Sequence, residues 1–209
     1  DCIQISFKAP GKEDIILSLL AKEVANRELD KNKINGCLNA DPLGELSIKG
    51  SDKPEILINF NKLADLLKSS SKKFPLLRSL SVNGSIFHQS GTSVVQELGF
   101  SISKMVEYIS RLKETGLEID EIASQIQFNF STGSNYFMEI AKIRAARILY
   151  ANIINAYDAK SEVSKKVFIH ANTSEWNQTI YDPYTNILRG TTESMSAVLG
   201  GVNSLSVSP

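Results

Sequence analysis

The amino-acid sequence predicts an α/β fold in which short buried strands alternate with amphipathic helices. Six apolar, β-branched or aromatic runs of four to six residues are bounded by Gly, Asn, Asp or Ser, a pattern typical of buried parallel strands. Strand–helix alternation with about 40 residues per unit favours a parallel sheet with helices packed outside it. The strand candidates are residues 3–7, 34–39, 78–83, 126–130, 167–170 and 202–207.

Helices are predicted between these strands because apolar residues recur there on one helical face. The four sets are Ile16, Leu19, Leu20 and Val24; Val94, Leu98, Ile102, Met105, Ile109 and Leu112; Phe137, Ile140, Ala141, Ala145, Ile148 and Leu149; and Ile187, Thr191, Met195 and Val198. Ser134 is the predicted N-cap of the third helix, since its hydroxyl accepts an orphan backbone N–H. A short helix is predicted over 63–67 with a loop at 69–73, an irregular connection over 40–58, and a polar loop over 158–166.

Two architectures satisfy this pattern, an open doubly wound sheet and a (β/α) barrel, because crossovers between parallel strands are right-handed. A closed eight-stranded barrel takes about 250 residues. This chain has 209 residues and six predicted strands, so a barrel built from it would lack about two strands. The pattern alone favours neither architecture.

The composition excludes several classes of function. Lys and Arg (23) balance Asp and Glu (23), so no basic excess exists to neutralise a nucleic-acid backbone. No apolar run approaches the roughly 18 residues that a membrane span needs, and no secretory signal pattern is present. Cys2 and Cys37 lie in apolar runs and are expected to be structural thiols in a reducing compartment, which predicts a cytoplasmic protein.

The motifs for dinucleotide and nucleoside triphosphate binding are both absent from the sequence. His88 and His170 are the two histidines of the chain, so a site of several imidazoles cannot form within it, and we expect no metal centre. The same two residues are the only histidine candidates for general-base work.

Polar side chains follow the predicted strands, at the ends where parallel βα architectures bind ligands. His170 is expected at a strand tip, either as a hydrogen-bonded rim residue or as a ligand contact. Arg144, on a helix, is either half of a surface ion pair or an anchor for a phosphate or carboxylate. Glu193 is either a solvated helix residue or a ribose acceptor.

Four long segments are distinctive: residues 130–147, beginning Phe-Ser-Thr-Gly-Ser-Asn, 170–176 (His-Ala-Asn-Thr-Ser-Glu-Trp), 182–186 (Asp-Pro-Tyr-Thr-Asn) and 193–201, ending Gly-Gly. These segments resemble the methylmalonyl-CoA mutase family. They occur in the family's order over about 80 residues, and 80–84 with Gly91 match more loosely. The resemblance implies a (β/α)8 barrel of the TIM type that threads an acyl-CoA along its axis. A separate cobalamin domain and adenosylcobalamin then supply the radical chemistry that interconverts methylmalonyl-CoA and succinyl-CoA.

Residues 1–209 would then be a partial barrel domain of about six strands of eight, without the cobalamin domain, whose D-x-H-x-x-G motif is absent. The sequence departs from the active family at one decisive place. Active mutases carry a Tyr-His pair whose histidine hydrogen-bonds the thioester carbonyl. Ser85 and Ile86 stand there instead, and isoleucine cannot donate a hydrogen bond. His88, two residues on, would share that face only if a strand continued so far.

The other family positions are mixed. The resemblance assigns His170, Asn172 and Glu193 to cofactor binding, with Asn172 in place of a glutamine and Phe168 in place of an arginine. It assigns Asn135, Arg144 and Asn186 to substrate binding.

This combination resembles the small, or beta, subunit of heterodimeric bacterial mutases. It implies a non-catalytic barrel that pairs with and stabilises a large catalytic subunit. Adenosylcobalamin would be bound mainly by that subunit and not by this chain alone, with an acyl-CoA as the substrate of the holoenzyme. Two alternatives stay open: a competent acyl-CoA isomerase with His88 or His170 standing in for the missing histidine, and a plain CoA-thioester-binding module.

Overall fold

A computed structural model describes residues 4–50 and 59–208; the candidate thiol Cys2 and the first residue of the first predicted strand, Ile3, lie outside this part. Six strands and eight α-helices occur in the described residues. The strands are β1 (Gln4–Ser6), β2 (Asn35–Ala40), β3 (Leu76–Asn83), β4 (Ile126–Thr132), β5 (Phe168–Thr173) and β6 (Ser204–Ser206). The helices are α1 (Glu13–Asn26), α2 (Pro42–Lys49), α3 (Phe60–Lys73), α4 (Ser85–Gln89), α5 (Val94–Glu114), α6 (Ile119–Gln125), α7 (Tyr136–Ala156) and α8 (Pro183–Gly200).

The strand order in the sheet is the order of the strands in the chain. The pairs β1–β2, β2–β3 and β5–β6 are parallel, with Ile5 opposite Gly36 and Ala171 opposite Leu205. A doubly wound sheet reverses its strand order at a switch point, whereas a (β/α) barrel does not. The predicted α/β class is therefore confirmed, and the order is that of an incomplete (β/α)8 barrel with six strands.

The chain divides into two compact units, residues 1–82 with 107–127, and residues 83–106 with 128–209. In the first unit, α1 packs on β2 and α3, and α3 packs on α6. The Tyr108 hydroxyl is buried there, where it donates to Asp41 Oδ1 (2.7 Å) and accepts from the Leu43 N–H (2.8 Å). Burial, with the Asp41 carboxylate beside it, raises the pKa of Tyr108, so this hydroxyl stays a donor.

In the second unit, α7 packs against α8, and α8 packs on β5 and β6. The core is aromatic under α7: Phe128 stacks on Phe130 at a centroid distance of 5.2 Å and meets Tyr150 edge-on at 6.2 Å. All three rings are buried. Among the described residues, no helix is long and apolar enough to cross a membrane.

All six predicted strands form, but several connections differ from the prediction. In the connection predicted as irregular over 40–58, Pro42–Lys49 form a helix, α2, capped by the Asp41 side chain, and residues 51–58 lie outside the described part of the chain. Residues 69–73, predicted as a loop, form the last part of α3. Ser70 is buried there, and its hydroxyl donates to the Leu77 carbonyl. Helices α4 and α6 were not predicted, and both are at most seven residues long, too short for a periodic pattern.

The predicted inward faces of α7 and α8 are wrong. On α7, Phe137 (80% exposed) and Ile148 (63%) face outward, while charged Glu139 and Lys142 are buried. The residues that α8 buries are Gly190, Glu193, Ser196, Ala197 and Gly200. All but Glu193 are small, and Gly200 lets the two helices approach closely, since a Cβ atom on it would lie 2.7 Å from Ile143 Cδ1.

Two smaller expectations also need correction. Ser134 is not the N-cap of α7, because the helix begins one residue later, with Asn135 in the cap position and no side-chain cap hydrogen bond. On α1, Leu17 and Val24 are buried, whereas Leu19 of the predicted face is 59% exposed. Cys37 is buried as a free thiol, as predicted, and burial raises its pKa to about 12.

Candidate functional site

The candidate site lies in the second unit, where the carboxyl ends of β4 and β5 continue into short polar turns. The Ser174 N–H donates to the Thr132 carbonyl (2.9 Å), which ties the two strand ends together. Gly133 follows β4 in a crowded place: a Cβ atom there would lie 3.1 Å from His88 Cε1 and 3.5 Å from Glu139 Oε1. Glycine therefore lets the backbone pass close to these two side chains.

Helix α4 brings His88 to this edge of the sheet. The chain turns into α4 directly after β3, so the strand that His88 would need in order to share the face of position 86 does not continue that far. Its Nε2 atom lies 2.7 Å from Ser174 Oγ, and its Nδ1 atom lies 3.8 Å from Glu97 Oε2. The His88 side chain is 11% exposed, and its Nδ1 has no hydrogen-bond partner in the described part of the chain.

A buried ionic cluster lies beneath His88, and we call its members Glu97, Glu139 and Lys142 the carboxylate–lysine triad. Lys142 Nζ lies 2.6 Å from Glu97 Oε2 and 2.6 Å from Glu139 Oε2, and all three side chains are at most 1% exposed. Burying charge is costly unless it is paired and hydrogen-bonded. Lys142 meets that condition through hydrogen bonds to Glu97 and to the Ser131 carbonyl, and it is ion-paired with Glu139, whose Oε2 has no hydrogen-bond partner among the described residues.

The triad also holds the backbone that ends β4. Lys142 donates to the Ser131 carbonyl (2.6 Å), and Glu97 Oε1 accepts from the Ser131 N–H (3.0 Å). Glu139 Oε1 accepts from the Gly133 N–H (3.1 Å). Side chains of α5 and α7 therefore hold the backbone at the end of β4 in place. The geometry of the site thus depends on the buried charges of the triad.

Burial changes the proton affinities of two groups here. It raises the pKa of Glu97, against the opposing effects of Lys142 and of the hydrogen bond from Ser131. Burial also lowers the pKa of His88, and the charge of Lys142 lowers it further. At neutral pH the imidazole is therefore neutral, and its ring nitrogens act as one donor and one acceptor.

Glu193 lies on the buried side of α8 and is not a solvated helix residue. Its two oxygens accept from the Ser174 N–H (3.1 Å) and from Asn177 Nδ2 (3.2 Å). Burial raises its pKa, while the Asn177 and Ser174 donors lower it. Glu193 thus holds the turn after β5, as the triad holds the turn after β4.

His170 lies inside β5, opposite Ser204 at the start of β6, so the expectation that it ends a strand is wrong: β5 continues to Thr173. Its Nδ1 is 2.7 Å from Ser204 Oγ, and its Nε2 is 3.1 Å from Asn172 Oδ1. Burial lowers its pKa, which the hydrogen bond to Asn172 opposes. The structure therefore brings His170 and Asn172 together and fits the hydrogen-bonded rim reading.

The three residues that the resemblance matches to substrate binding are exposed or make contacts with residues outside this cluster. Asn135 is exposed at the start of α7. Arg144 is exposed and donates to the Leu199 carbonyl (3.1 Å), where a cation complements the C-terminal end of α8. Asn186 bonds reciprocally with Thr179, accepting from its N–H (2.9 Å) and donating to its carbonyl (2.8 Å).

Ser85 and Ile86 open α4 where the family has its Tyr-His pair. Ser85 is buried, and its hydroxyl has no hydrogen-bond partner among the described residues. Ile86 is half-buried. Neither side chain carries an imidazole, and isoleucine has no hydrogen-bonding group at all.

Sequence reasoning missed the carboxylate–lysine triad. Glu139 and Lys142 have the i, i+3 spacing of an ordinary surface ion pair, and Glu97 is 42 residues before Glu139. Hydrophobic periodicity does not reveal the triad, because it predicts that the apolar face of α7 packs on the core, and Glu139 and Lys142 lie on the other face. In the part of the chain that the structure describes, no group of three His, Cys, Asp or Glu side chains could hold a metal ion.

Comparison with known proteins identifies relatives over the whole chain. The family profile described as methylmalonyl-CoA mutase matches residues 1–209. The methylmalonyl-CoA mutase small subunit of Porphyromonas gingivalis is 38% identical over 195 residues, covering 93% of this chain and 31% of that protein. The methylmalonyl-CoA mutase of Rhizobium meliloti is 32% identical over 209 residues (98% and 29%). The large subunit from Streptomyces virginiae is 30% identical over 209 residues (98% and 28%).

The chain spans about a third or less of the length of these curated relatives. The family profile covers every residue of the chain, and the strand order is the one that a (β/α) barrel requires. On these findings, the chain belongs to the methylmalonyl-CoA mutase family.

Proposed function

We propose that this chain is the small-subunit barrel of an adenosylcobalamin-dependent methylmalonyl-CoA mutase. It does not catalyse the rearrangement itself but pairs with and stabilises a large catalytic subunit in the cytoplasm. The observation that carries this proposal is the replacement of the family's Tyr-His pair by Ser85 and Ile86 in an otherwise matched scaffold. A hydrocarbon side chain cannot hydrogen-bond a migrating thioester carbonyl.

The surroundings of the two histidines support the same proposal. His88 reaches the strand ends, but its ring nitrogens are directed at Ser174 and Glu97, and little of its side chain is exposed. Both ring nitrogens of His170 lie within hydrogen-bond distance of Ser204 and Asn172. His170 therefore offers no free ring nitrogen to a substrate, and the unpartnered Nδ1 of His88 is buried beside Glu97, which favours the non-catalytic reading over the competent isomerase.

Adenosylcobalamin would supply the radical that starts the rearrangement. The described residues do not fit a cobalt-coordinating histidine, because His170 is hydrogen-bonded through both ring nitrogens and the unpartnered Nδ1 of His88 is buried beside Glu97. We therefore assign the cofactor mainly to the partner subunit. His170, Asn172 and Glu193 would at most contact its periphery, and Asn135, Arg144 and Asn186 would be secondary contacts to acyl-CoA.

The names of two relatives, a small and a large subunit, support a heterodimer. The test measures methylmalonyl-CoA turnover with added adenosylcobalamin for the purified chain, for the large subunit of the same organism, and for their mixture. We expect no turnover by the chain alone. We also expect co-elution of the two chains and a higher unfolding temperature of the large subunit in the mixture.

Turnover of the purified chain separates the two catalytic readings, and Ile86→Ala is a control. Ile86→Ala removes side-chain volume but no hydrogen-bonding group, so turnover of the mixed enzyme should be unchanged. Turnover by the purified chain alone would overturn the proposal. Heat released by the chain on binding CoA or succinyl-CoA, without co-elution with the large subunit, would favour the plain CoA-binding module instead.

A further inference from the structure

Helix α4 and the turn after it are fastened to the segment that follows β5. His88 Nε2 lies 2.7 Å from Ser174 Oγ, and Gln89 Nε2 donates to Glu175 Oε2 (3.4 Å). The Trp176 ring lies against Gly91 in the turn after α4, since a Cβ atom on Gly91 would lie 3.6 Å from it. We call these contacts between residues 85–91 and 174–176 the α4 latch. Its buried member is the hydrogen bond between His88 and Ser174.

The charged groups around His88 can accommodate one additional proton on its imidazole. Glu97 faces it from α5, Glu139 and Lys142 from α7, and Glu193 lies behind Ser174 on α8. Carboxylates outnumber the ammonium in this group, so the neutral imidazole sits in an excess of negative charge. His88 Nδ1 is buried without a hydrogen-bond partner in the described chain and points toward Glu97 Oε2, 3.8 Å away.

We propose that His88 is a proton-controlled latch: a proton taken up on its Nδ1 draws the ring to Glu97 and frees α4 from residues 174–176. A charge-assisted N–H···O hydrogen bond needs about 2.8 Å, so the ring moves about 1 Å toward Glu97. The two ring nitrogens point away from each other. The same movement therefore lengthens the bond from Nε2 to Ser174 beyond hydrogen-bond distance.

The direction of the pH dependence follows from the surroundings of both groups. Burial and Lys142 lower the pKa of His88, while burial raises the pKa of Glu97. The two groups therefore share the next proton that enters the cluster, below the ordinary range of histidine near pH 6.5. The latch is closed at neutral pH and opens on acidification.

The chain contains one tryptophan and two histidines, which makes the test specific. Trp176 belongs to the latch and is 63% exposed, so its fluorescence reports the contact with Gly91. We expect the emission of the wild-type protein to shift between about pH 7 and about pH 5, with a midpoint below 6.5. Far-UV circular dichroism should stay constant over this range.

Three variants test the assignment. His88→Gln keeps a hydrogen-bonding side chain but cannot gain charge, so the fluorescence shift should be lost. Glu97→Gln removes the attraction and should reduce the shift at least several-fold. His170→Asn removes the other histidine of the chain and should leave the shift unchanged.

Any of three results would overturn the latch. The first is an emission spectrum that stays flat to pH 5 while proton NMR shows His88 titrating. The second is a shift that persists in His88→Gln. The third is a wild-type shift that coincides with loss of the circular dichroism signal, because unfolding rather than release of α4 would then explain it.

Discussion

Lys142→Met is the sharpest test of how the site is built. Methionine has nearly the length of lysine, so the substitution removes the charge of the triad with little change in packed volume. It leaves Glu97 and Glu139 buried at 0% and 1% exposure without their cation. Removing one partner of a buried ion pair costs about 3–5 kcal/mol. We expect a loss of that size, a large share of the roughly 5–15 kcal/mol that stabilises a domain.

The assay is urea unfolding followed by circular dichroism at pH 7. Lys165→Met is the matched control, because Lys165 pairs with Glu162 on the surface, where the carboxylate is 82% exposed. Its stability should equal that of the wild type within error. The double variant Lys142→Met with Glu97→Gln removes one of the two stranded charges and should recover part of the loss.

The pH dependence gives an independent check with a definite sign. Burial raises the pKa of Glu97 in the folded protein, and loss of Lys142 raises it further. A carboxyl whose folded pKa lies above its unfolded value contributes stability at low pH, and this contribution is lost as pH rises through the folded pKa. The difference between wild type and Lys142→Met should therefore shrink from about pH 7 to about pH 5.

The reasoning about the triad would be refuted if Lys142→Met lost less than about 1 kcal/mol at pH 7, the range of an exposed pair. It would also be refuted if the loss grew on acidification.

Two further substitutions test local packing, both by urea unfolding. Gly84→Ala places a Cβ atom 2.5 Å from Ser101 Oγ, and such overpacking should cost about 1–3 kcal/mol; Gly99→Ala meets nothing within 4 Å and should be neutral or stabilising. Asp41→Ala removes the cap of α2 and the acceptor of the buried Tyr108 hydroxyl, so it should cost about 2–3 kcal/mol. Equal stabilities of the two glycine variants, or an Asp41→Ala protein as stable as wild type, would contradict these contacts.

The strands were predictable because each one is a short apolar run that fits only a buried position in a parallel sheet. Residues 126–130 belong to β4 and 168–170 to β5, and both strands run two to three residues further than predicted, through mainly polar residues. Local chemistry was sufficient to locate these strands, since buried parallel strands are rich in apolar residues, but not to fix their ends, because Ser131 and Thr132 are buried in β4 as well.

The faces of α7 and α8 were not predictable in the same way. Apolar periodicity pointed to Phe137 and Ile148, yet α7 buries Glu139 and Lys142. A helical pattern identifies an apolar face but cannot show that charges on another face will find partners far away in the chain. Glu97 is such a partner, and nothing local in the sequence marks it.

The order of the elements and the presence of Ser85 and Ile86 directly after Gly84 were determined by the sequence alone, because each depends on which side chains follow one another along the chain. Only the tertiary structure decided which charged and titratable side chains lie close enough to interact. His88 comes within 3.8 Å of Glu97, and Lys142 lies between two carboxylates, only because α4, α5 and α7 converge at the end of β4. Coulombic and hydrogen-bond energies depend on distance in space and on exclusion of water, and neither quantity can be read from spacing along the chain.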